Sequence, residues 1–199
     1  MKVDCKHPLN LSNSMKLLPA SFYNRDTVEV ARDLLGKEYI RRHGSQVFRG
    51  FIVETEAYRS DDEACHAYKG LTQRTAPLFG PVGHTYVYVC YGIHFCLNIV
   101  ARATDKLPAG GVLIRGVSVS GHDEYPQRID GPGRSAKALH ITKADTGLNV
   151  MYEDSSLIIL DAPTIPDEII TITPRIGISK STEALWRFYY NDKELQRRR

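Results

Sequence analysis

The sequence has little cysteine and lacks the common metal-binding motifs. Its 199 residues include four cysteines, and no two of them form the CxxC pair that marks structural zinc sites and dithiol redox centres. No HExxH occurs, and the His-Asp-Glu run at 122–124 lacks the Pro-Cys-x-x-Cys half of a zinc-deaminase signature. We therefore expect no metal ion and no cofactor.

Long hydrophobic runs are also missing. The first twenty residues are polar and basic, without an apolar stretch long enough for a signal peptide or a membrane span. Three of the cysteines lie in apolar or strand-like sequence, where buried thiols are common, and this suits a reducing compartment. We expect an intracellular protein with no membrane partner. The N-terminal segment has no basic import tract, which favours a bacterial cytoplasm over a nucleus.

Charge of one sign is not in large excess. The formal net charge is +3, from 26 Lys and Arg against 23 Asp and Glu, so the total does not by itself indicate a nucleic-acid partner. Acidic residues cluster at 61–63, whereas basic residues recur later in the chain. These are Arg128, Arg134, Lys137, Lys143, Arg175, Lys180, Arg187 and Arg197–Arg199. The pattern is consistent either with a phosphate-binding stripe or with an ordinary solvated surface.

The order of the predicted elements indicates one domain. A chain of this length can bury its own core, and we expect residues 1–17 to form a flexible arm and residues 18–199 to fold together as a monomer. Strands occur in hairpin-like pairs with few helices between them. This predicts an α+β fold with a curved, mainly antiparallel sheet, helices around it and a protruding hairpin.

The predicted elements follow from hydrophobic spacing and turn residues. A helix is predicted with Asn24 or Asp26 as its N-cap and Gly36 at its exit. Residues 59–83, rich in Gly, Pro, Thr and charge, are predicted to form a long functional loop. Strands or short elements are predicted at Lys37–Arg42, Val47–Tyr58, Gly111–Val119, Ser156–Ala162, Ile169–Thr173 and Glu183–Tyr189.

An aromatic hairpin is predicted at residues 86–98. Alternation along the first strand places Tyr86 and Tyr88 on one face and Val87 and Val89 on the other. One face can therefore line a pocket, while Tyr91 stands at the tip. An ordinary hairpin whose tyrosines cover the core would have the same sequence pattern.

Two carboxylates share one face of a predicted strand. Alternation places Glu54, Glu56 and Tyr58 together, at the end of an otherwise apolar strand and beside a loop that contains His66. A carboxylate, a phenol and an imidazole could converge there, although an exposed acidic strand would have the same pattern. Arg115 ends an apolar run and is either a surface residue or the partner of a buried acid.

Two loops carry residues suited to phosphate. A Gly-Pro-Gly turn leads into helical sequence, so the backbone N–H of Gly133 and the side chains of Arg134 and Lys137 could bind a phosphate. Thr72 and Arg74 add a hydroxyl and a guanidinium in the long loop. Both sequences are also common in plain turns and surface loops.

Taken together, these stretches resemble the alkyladenine (3-methyladenine) DNA glycosylase family. The match follows the order of the chain over roughly residues 18 to 190. It is carried by Ala31–Gly36, Val53–Tyr58, Asp62–His66, the hairpin, Val112–Arg115, Gly131–Gly133, Arg175–Gly177 and Trp186–Tyr189. The sequence departs from the family pattern at Cys65, where alanine is frequent, and at Gln73, where proline is frequent.

The resemblance implies a hydrolytic reaction. Glu56 resembles the acid that activates the water, and Arg115 with the carbonyl of Ile176 resembles the groups that hold it. The implied substrates are alkylated purines such as 3-methyladenine and 7-methylguanine, with hypoxanthine and ethenoadenine as further candidates. No lysine or N-terminal amine coincides with the pocket residues, so we expect a monofunctional enzyme that leaves an abasic site for a downstream abasic-site endonuclease.

The resemblance also implies double-stranded DNA with a damaged purine as the partner. Tyr58, His66 and Tyr88 resemble the walls that stack around an extruded base, and aromatic faces favour the positive charge of alkylated purines. Tyr91 resembles the tyrosine that fills the gap left in the duplex. Asn98 resembles the residue that excludes the exocyclic amine of guanine.

Two other functions stay open at this point. Glu54 and Glu56 could be the paired carboxylates of a sugar glycosidase, but side chains two apart on a strand point in parallel and do not easily flank a substrate. A protein that binds distorted DNA or RNA without chemistry could use Tyr91 and the basic residues. Such a protein gains nothing from a carboxylate that faces a polyanion.

Overall fold

A nine-stranded antiparallel sheet is the framework of the computed structural model, which describes residues 16–120 and 127–191. The strands are β1 (Glu38–His43), β2 (Gln46–Arg59), β3 (Thr85–Cys90), β4 (His94–Val100), β5 (Gly110–Val119), β6 (Gln127–Asp130), β7 (Leu157–Leu160), β8 (Ile170–Thr173) and β9 (Arg187–Tyr190). The helices are α1 (Ala20–Tyr23), α2 (Thr27–Asp33), α3 (Ala76–Phe79) and α4 (Pro132–Ala138). The predicted α+β fold is confirmed.

The strand order explains how distant segments meet. The central path runs β3-β4-β5-β2-β1-β7, β6 pairs with β5, and β8 pairs with β9, which in turn pairs with β2. Tyr88 lies opposite Cys96 in the β3–β4 hairpin. The predicted N-terminal arm up to residue 15, the His-Asp-Glu run and the C-terminal arginines lie outside the described residues.

Helix α2 begins where the sequence predicts. The carboxylate of Asp26 accepts a hydrogen bond from the N–H of Val28 at 2.8 Å, which satisfies a free donor of the first turn. The helix ends at Asp33, earlier than predicted. Gly36 follows with φ +75°, a conformation that suits glycine. The buried Val30 is part of the main apolar core between this helix and the sheet.

Strand β2 carries the two carboxylates that the sequence singled out. Its first half lies between β1 and β5, and its second half lies between β5 and β9. The register with β5 shifts between Ile52 and Thr55, and a bulge of this kind bends a strand and redirects its side chains. Beyond it, Glu54 and Glu56 lie opposite Tyr189 and Arg187 of β9. Side chains from three strands therefore meet at one end of β2.

Three short elements were not predicted from the sequence. Helices α1 and α3 and strand β6 are each four residues long, too short to show a hydrophobic period. Helix α3 lies within the loop 59–83 and contributes Leu78 to a small second apolar cluster under that loop. Among the described residues, no helix combines the length and apolar composition that a membrane crossing requires.

Replacement of Gly50 by alanine is predicted to destabilise the sheet. The hydroxyl of Tyr39 donates to the carbonyl of Ser118 at 2.9 Å directly over Gly50, and an added Cβ would lie 1.7 Å from that carbonyl oxygen. We expect Gly50→Ala to lower the free energy of unfolding, measured in urea, by about 2–3 kcal/mol or more. Gly44→Ala, where nothing lies within 4 Å and φ is +56°, should lower it by about 1 kcal/mol. Equal losses would contradict this account.

Candidate active site

A cleft of about 650 Å³ opens at the end of β2. It lies between the loop 59–83, the β3–β4 hairpin, strand β5 and the segment 176–180. Its lining includes Tyr58, His66, Tyr86, Tyr88, Asn98, Arg115 and Ile176. The structure thus brings together most of the site residues predicted from the sequence, although they span more than a hundred positions of the chain.

Glu56 lies directly behind this cleft and has no exposed surface. Its Oε1 accepts a hydrogen bond from the N–H of Ile176 at 2.8 Å, and its Oε2 accepts one from the hydroxyl of Tyr58 at 2.8 Å. Nε of Arg115 lies 3.4 Å from Oε1. All three partners line the cleft. A carboxylate has about four acceptor positions, so at least one stays available for a water molecule.

The surroundings of Glu56 raise its pKa. Burial is the largest cause, and the charge of the neighbouring Glu54 acts in the same direction. Arg115 and the hydrogen bonds from Ile176 and Tyr58 oppose the increase but do not cancel it. A carboxylate with a raised pKa accepts a proton more readily than an ordinary glutamate, which suits a general base.

The second carboxylate, Glu54, is 4% exposed and faces two guanidinium groups. Its Oε1 accepts hydrogen bonds from Nε of Arg115 at 2.9 Å and from Nε of Arg187 at 2.6 Å. The interpretation of Arg115 as the partner of a buried acid is confirmed. Because Glu54 is held by cations on neighbouring strands, it does not flank a substrate space together with Glu56, and the sugar-glycosidase alternative loses its geometric basis.

Ile176 contacts Glu56 in a way that was not expected. Its backbone N–H faces the carboxylate, whereas the family resemblance implies that its carbonyl helps to hold the hydrolytic water. The carbonyl's contact with a water molecule stays a prediction.

Aromatic rings form the walls of the cleft. The rings of His66 and Tyr88 meet edge to face with centroids 4.6 Å apart, and Tyr86 lies 5.7 Å from Tyr88. Burial against these rings and, secondarily, the charge of Arg74 lower the pKa of His66 to about 4. The imidazole is therefore neutral near pH 7. Burial is also the largest cause of the raised pKa of Tyr58, so this phenol keeps its proton.

The hydrogen bonds of His66 fix its tautomer. A guanidinium donates only, so Nε2 accepts from Nη2 of Arg74 at 3.2 Å. Nδ1 therefore carries the proton and donates to the Tyr86 hydroxyl at 3.0 Å. Asn98, which is buried, uses its amide Nδ2 to donate to the Tyr86 carbonyl at 3.1 Å. Its Oδ1 is then the atom of this amide that can contact a molecule in the cleft.

The hairpin tip exposes an aromatic ring in a strained conformation. Tyr91 is 84% exposed and has φ +52°, followed by Gly92 with φ +72°. A tyrosine in the left-handed region costs about 1–2 kcal/mol. Ile93 beside it is 76% exposed, and the sequence analysis did not single it out. The tip thus holds two apolar side chains in solvent, which indicates a surface that binds something.

The residues predicted to bind phosphate have other contacts in the free protein. Thr72 bonds to Thr75 within its own loop, with Oγ1 atoms 2.9 Å apart. Arg74 bonds to His66 at the cleft. Gly133 packs against His94, whose Cβ would lie 2.9 Å from an added Cβ, so this glycine allows α4 to approach the hairpin. Arg134 and Lys137 are exposed on α4, and their contact with DNA stays a prediction.

Two residues near the cleft were named in the sequence analysis only as basic residues, without a role in the site. Nη1 of Arg175, 5% exposed, donates to the carbonyl of Ala57 at 2.9 Å and to Asp62, and its guanidinium lies 4.8 Å from the ring centroid of Tyr58. It fixes the loop 59–83 to the end of β2. Lys180 lines the rim of the cleft and lies 3.7 Å from a carboxylate oxygen of Glu63. Neither residue has a local pattern that reveals its position.

Comparison with known proteins gives a consistent result. A model of the methylpurine-DNA glycosylase family matches residues 21–194. A protein of Chlorobaculum parvum named "Putative 3-methyladenine DNA glycosylase" is 43% identical over 185 residues, which cover 87% of both chains. The "DNA-3-methyladenine glycosylase" of Arabidopsis thaliana is 40% identical over 205 residues, 94% of this chain and 77% of the plant protein.

Two buried carboxylates are predicted to affect stability in opposite directions. Because folding raises the pKa of Glu56, its stabilising contribution is present below the unfolded pKa and is lost as the pH rises through the folded pKa. Glu56→Gln should therefore have a melting temperature at pH 7 no lower than that of the wild type. Any excess in the melting temperature of Glu56→Gln over that of the wild type should shrink towards pH 4.

Asp62 provides the contrast. Burial alone would raise its pKa, but hydrogen bonds from Arg175 and Ser181 outweigh burial and lower it. Its contribution is present above the unfolded pKa and is lost as the pH falls through the folded pKa. Asp62→Asn leaves Arg175 buried without its counter-ion and should cost about 3–5 kcal/mol at pH 7. A stabilised Asp62→Asn or a strongly destabilised Glu56→Gln would show that these charges are wrongly assigned.

Proposed function

The chain belongs to the methylpurine-DNA glycosylase family and is a DNA glycosylase for alkylated bases, and on this premise we propose that it flips a damaged purine out of duplex DNA into the cleft and hydrolyses its N-glycosidic bond. The proposed substrates are 3-methyladenine and 7-methylguanine, followed by hypoxanthine and ethenoadenine. The observation that carries the proposal is the buried carboxylate of Glu56 behind a cleft walled by tyrosines.

The walls of the cleft suit an extruded, positively charged base. A purine is flat, and Tyr58, Tyr86 and Tyr88 present rings that can stack on it. Purines alkylated at N3 or N7 are cationic, and electron-rich rings attract a cation by about 0.5–2 kcal/mol. Normal purines are neutral and lack this term. Asn98 is proposed to crowd the exocyclic amine of a guanine. Neutral guanine has no positive charge to offset this, whereas 7-methylguanine, which keeps the amine, is attracted by the aromatic walls.

The proposed chemistry is a displacement at the sugar carbon. A water bound to Glu56 and Arg115 gives a proton to the carboxylate while its oxygen bonds to C1′, and the bond from C1′ to the purine nitrogen breaks. The base leaves with the electron pair of that bond. The ionised carboxylate also stabilises the positive charge that develops on the sugar. A fixed positive charge on an alkylated purine makes it a better leaving group and adds to the rate.

The reaction is proposed to be monofunctional. Of the described residues that line the cleft, Lys180 is the one lysine, and it is at the rim beside Glu63, with 65% of its side chain exposed. A Schiff base between a lysine and C1′ needs an amine at the reacting carbon. Hydrolysis would leave an abasic site, which a separate abasic-site endonuclease would process. We also propose that one copy of the chain carries a complete site.

The wedge is proposed to be the hairpin tip. Extrusion of a base costs a few kcal/mol, and an apolar side chain in the vacated stack offsets part of this cost. The side chains of Tyr91 and Ile93 are exposed to water in the free protein. They would lose this unfavourable contact with water when they enter DNA. Arg134, Lys137, Thr72 and Arg74 are proposed to bind the flanking phosphates.

Base release from defined duplexes tests the reaction. Duplexes with a single hypoxanthine or 7-methylguanine are incubated with the enzyme and then treated with mild alkali, which breaks the strand at an abasic site. We expect breaks at the lesion after alkali and none before it. Glu56→Gln should lower the rate by at least about 100-fold while the affinity for lesion DNA stays within a few-fold. Binding without breaks by the wild type would instead indicate a non-catalytic binder.

Borohydride distinguishes the two possible reaction types. If Lys180 formed a Schiff base, borohydride would fix the enzyme to the DNA, and Lys180→Ala would abolish the adduct. We expect no adduct and an unchanged rate of release in Lys180→Ala. A trapped complex would overturn the monofunctional proposal.

A substitution at the tip separates binding from folding. Tyr91→Gly removes the exposed ring and also relieves the positive φ, so the melting temperature should stay equal or rise. The rate of base release from a paired lesion should fall about tenfold or more, because the gap in the duplex is no longer filled. The loss should be smaller for a lesion in single-stranded DNA. An unfolded variant would instead assign Tyr91 to the core.

A further inference from the structure

We infer that Glu54 is a positioning residue that increases the basicity of Glu56 by drawing Arg115 away from it. This inference rests on the proposed function, because it concerns the base of the same reaction. It gives a role to a carboxylate that the catalytic assignment leaves unused.

The geometry shows that the two carboxylates share one cation. Nε of Arg115 lies 2.9 Å from Oε1 of Glu54 and 3.4 Å from Oε1 of Glu56. One N–H can point well at one acceptor only, and it forms its hydrogen bond with Glu54. Glu56 therefore receives the charge of Arg115 but not the N–H bond. A carboxylate that lacks this bond keeps more of its proton affinity.

Arg187 holds Glu54 in the position from which it competes for Arg115. Its Nε donates to Oε1 of Glu54 at 2.6 Å, and its Nη1 donates to Oγ1 of Thr173 at 3.0 Å. Two guanidinium groups therefore share one oxygen of Glu54, which is 4% exposed. The charge of Glu54 then acts on Glu56 from two positions away on the same strand.

Few other groups that face Glu56 can change its proton affinity. From β2 it faces Tyr58 and Glu54, from β5 it faces Arg115, and from the segment after β8 it receives the N–H of Ile176. Arg187 on β9 reaches it through Glu54. The phenol and the N–H favour the charged form and do not change with pH near neutrality. Burial is the largest cause of the raised pKa of Glu56, and Glu54 is the described neighbour whose negative charge adds to it.

The pH dependence of catalysis tests the inference. Release of 3-methyladenine from methylated duplex DNA is followed under single-turnover conditions with saturating enzyme between pH 4.5 and 8.5, with spontaneous release subtracted. In Glu54→Gln, Arg115 should form its hydrogen bond with Glu56 and lower the pKa of that carboxyl. The acidic limb of the rate profile should therefore move to lower pH by about one unit. The plateau should also fall, because Glu56 becomes a weaker base. DNA affinity should stay within about twofold.

A second substitution should act in the opposite direction. Arg187→Gln removes one of the two cations on Glu54, which leaves its charge less neutralised and its hold on Arg115 stronger. The acidic limb should therefore move to higher pH. Glu54→Asp keeps the charge and should keep the limb near the wild-type position, with a lower rate. These two variants also test the inference if Glu54→Gln does not fold.

Glu38→Gln provides the matched control. Glu38 is a half-buried carboxylate on β1, paired with Arg49, and it does not line the cleft. Its substitution should leave the profile unchanged. If the wild type releases base but Glu54→Gln and Arg187→Gln lower the rate equally at every pH, Glu54 is merely structural and the inference is wrong. If the wild type releases no base at any pH, the proposed function itself fails.

Discussion

The sharing of Arg115 by two buried carboxylates is the constraint on which the rest of the site depends. Removal of two carboxylates from water is unfavourable by several kcal/mol each unless cations and hydrogen bonds compensate. Arg115 and Arg187 supply the cations, and Ile176 and Tyr58 supply donors to Glu56. These partners come from β5, β9, β2 and the segment after β8. A complete fold is therefore required before the acid can be buried and ionised.

A change of neighbouring strand along β2 makes this convergence possible. Strand β1 is six residues long and pairs with β2 only as far as Phe51. After the register shift between Ile52 and Thr55, β9 takes that place, and its Arg187 faces Glu54. The same end of β2 places Tyr58 in the cleft wall. Arg175 links the loop 59–83 to this end of the strand through hydrogen bonds to Asp62 and to the carbonyl of Ala57. This end of β2 thus joins the framework, the acid and the loop.

Much of this arrangement could be predicted from short-range sequence patterns. Alternation placed Glu54, Glu56 and Tyr58 on one face, and it placed Tyr86 and Tyr88 together on the face that lines the cleft. Asp26 was predicted as a helix cap because capping is a local interaction. Arg175 and Arg187 were not given roles, because the residues that they hold are 113 and 133 positions away. Long-range pairing leaves no periodic signal in one sequence.

The resemblance to a family supplied roles that the patterns could not, but it did not supply geometry. It pointed to Ile176 through its carbonyl, whereas the N–H faces Glu56. The Gly-Pro-Gly turn pointed to Gly133 as a phosphate contact, and in the structure this glycine also lets α4 pack against the hairpin at His94. This packing also matters for the hairpin itself. On the proposed function, a hairpin that carries the exposed, strained Tyr91 into DNA needs a rigid base, and close packing of α4 against His94 provides that support. Rigidity at the base and apolar exposure at the tip would then serve the same proposed function, because an apolar tip on a loose hairpin would fold back onto the protein instead of separating bases.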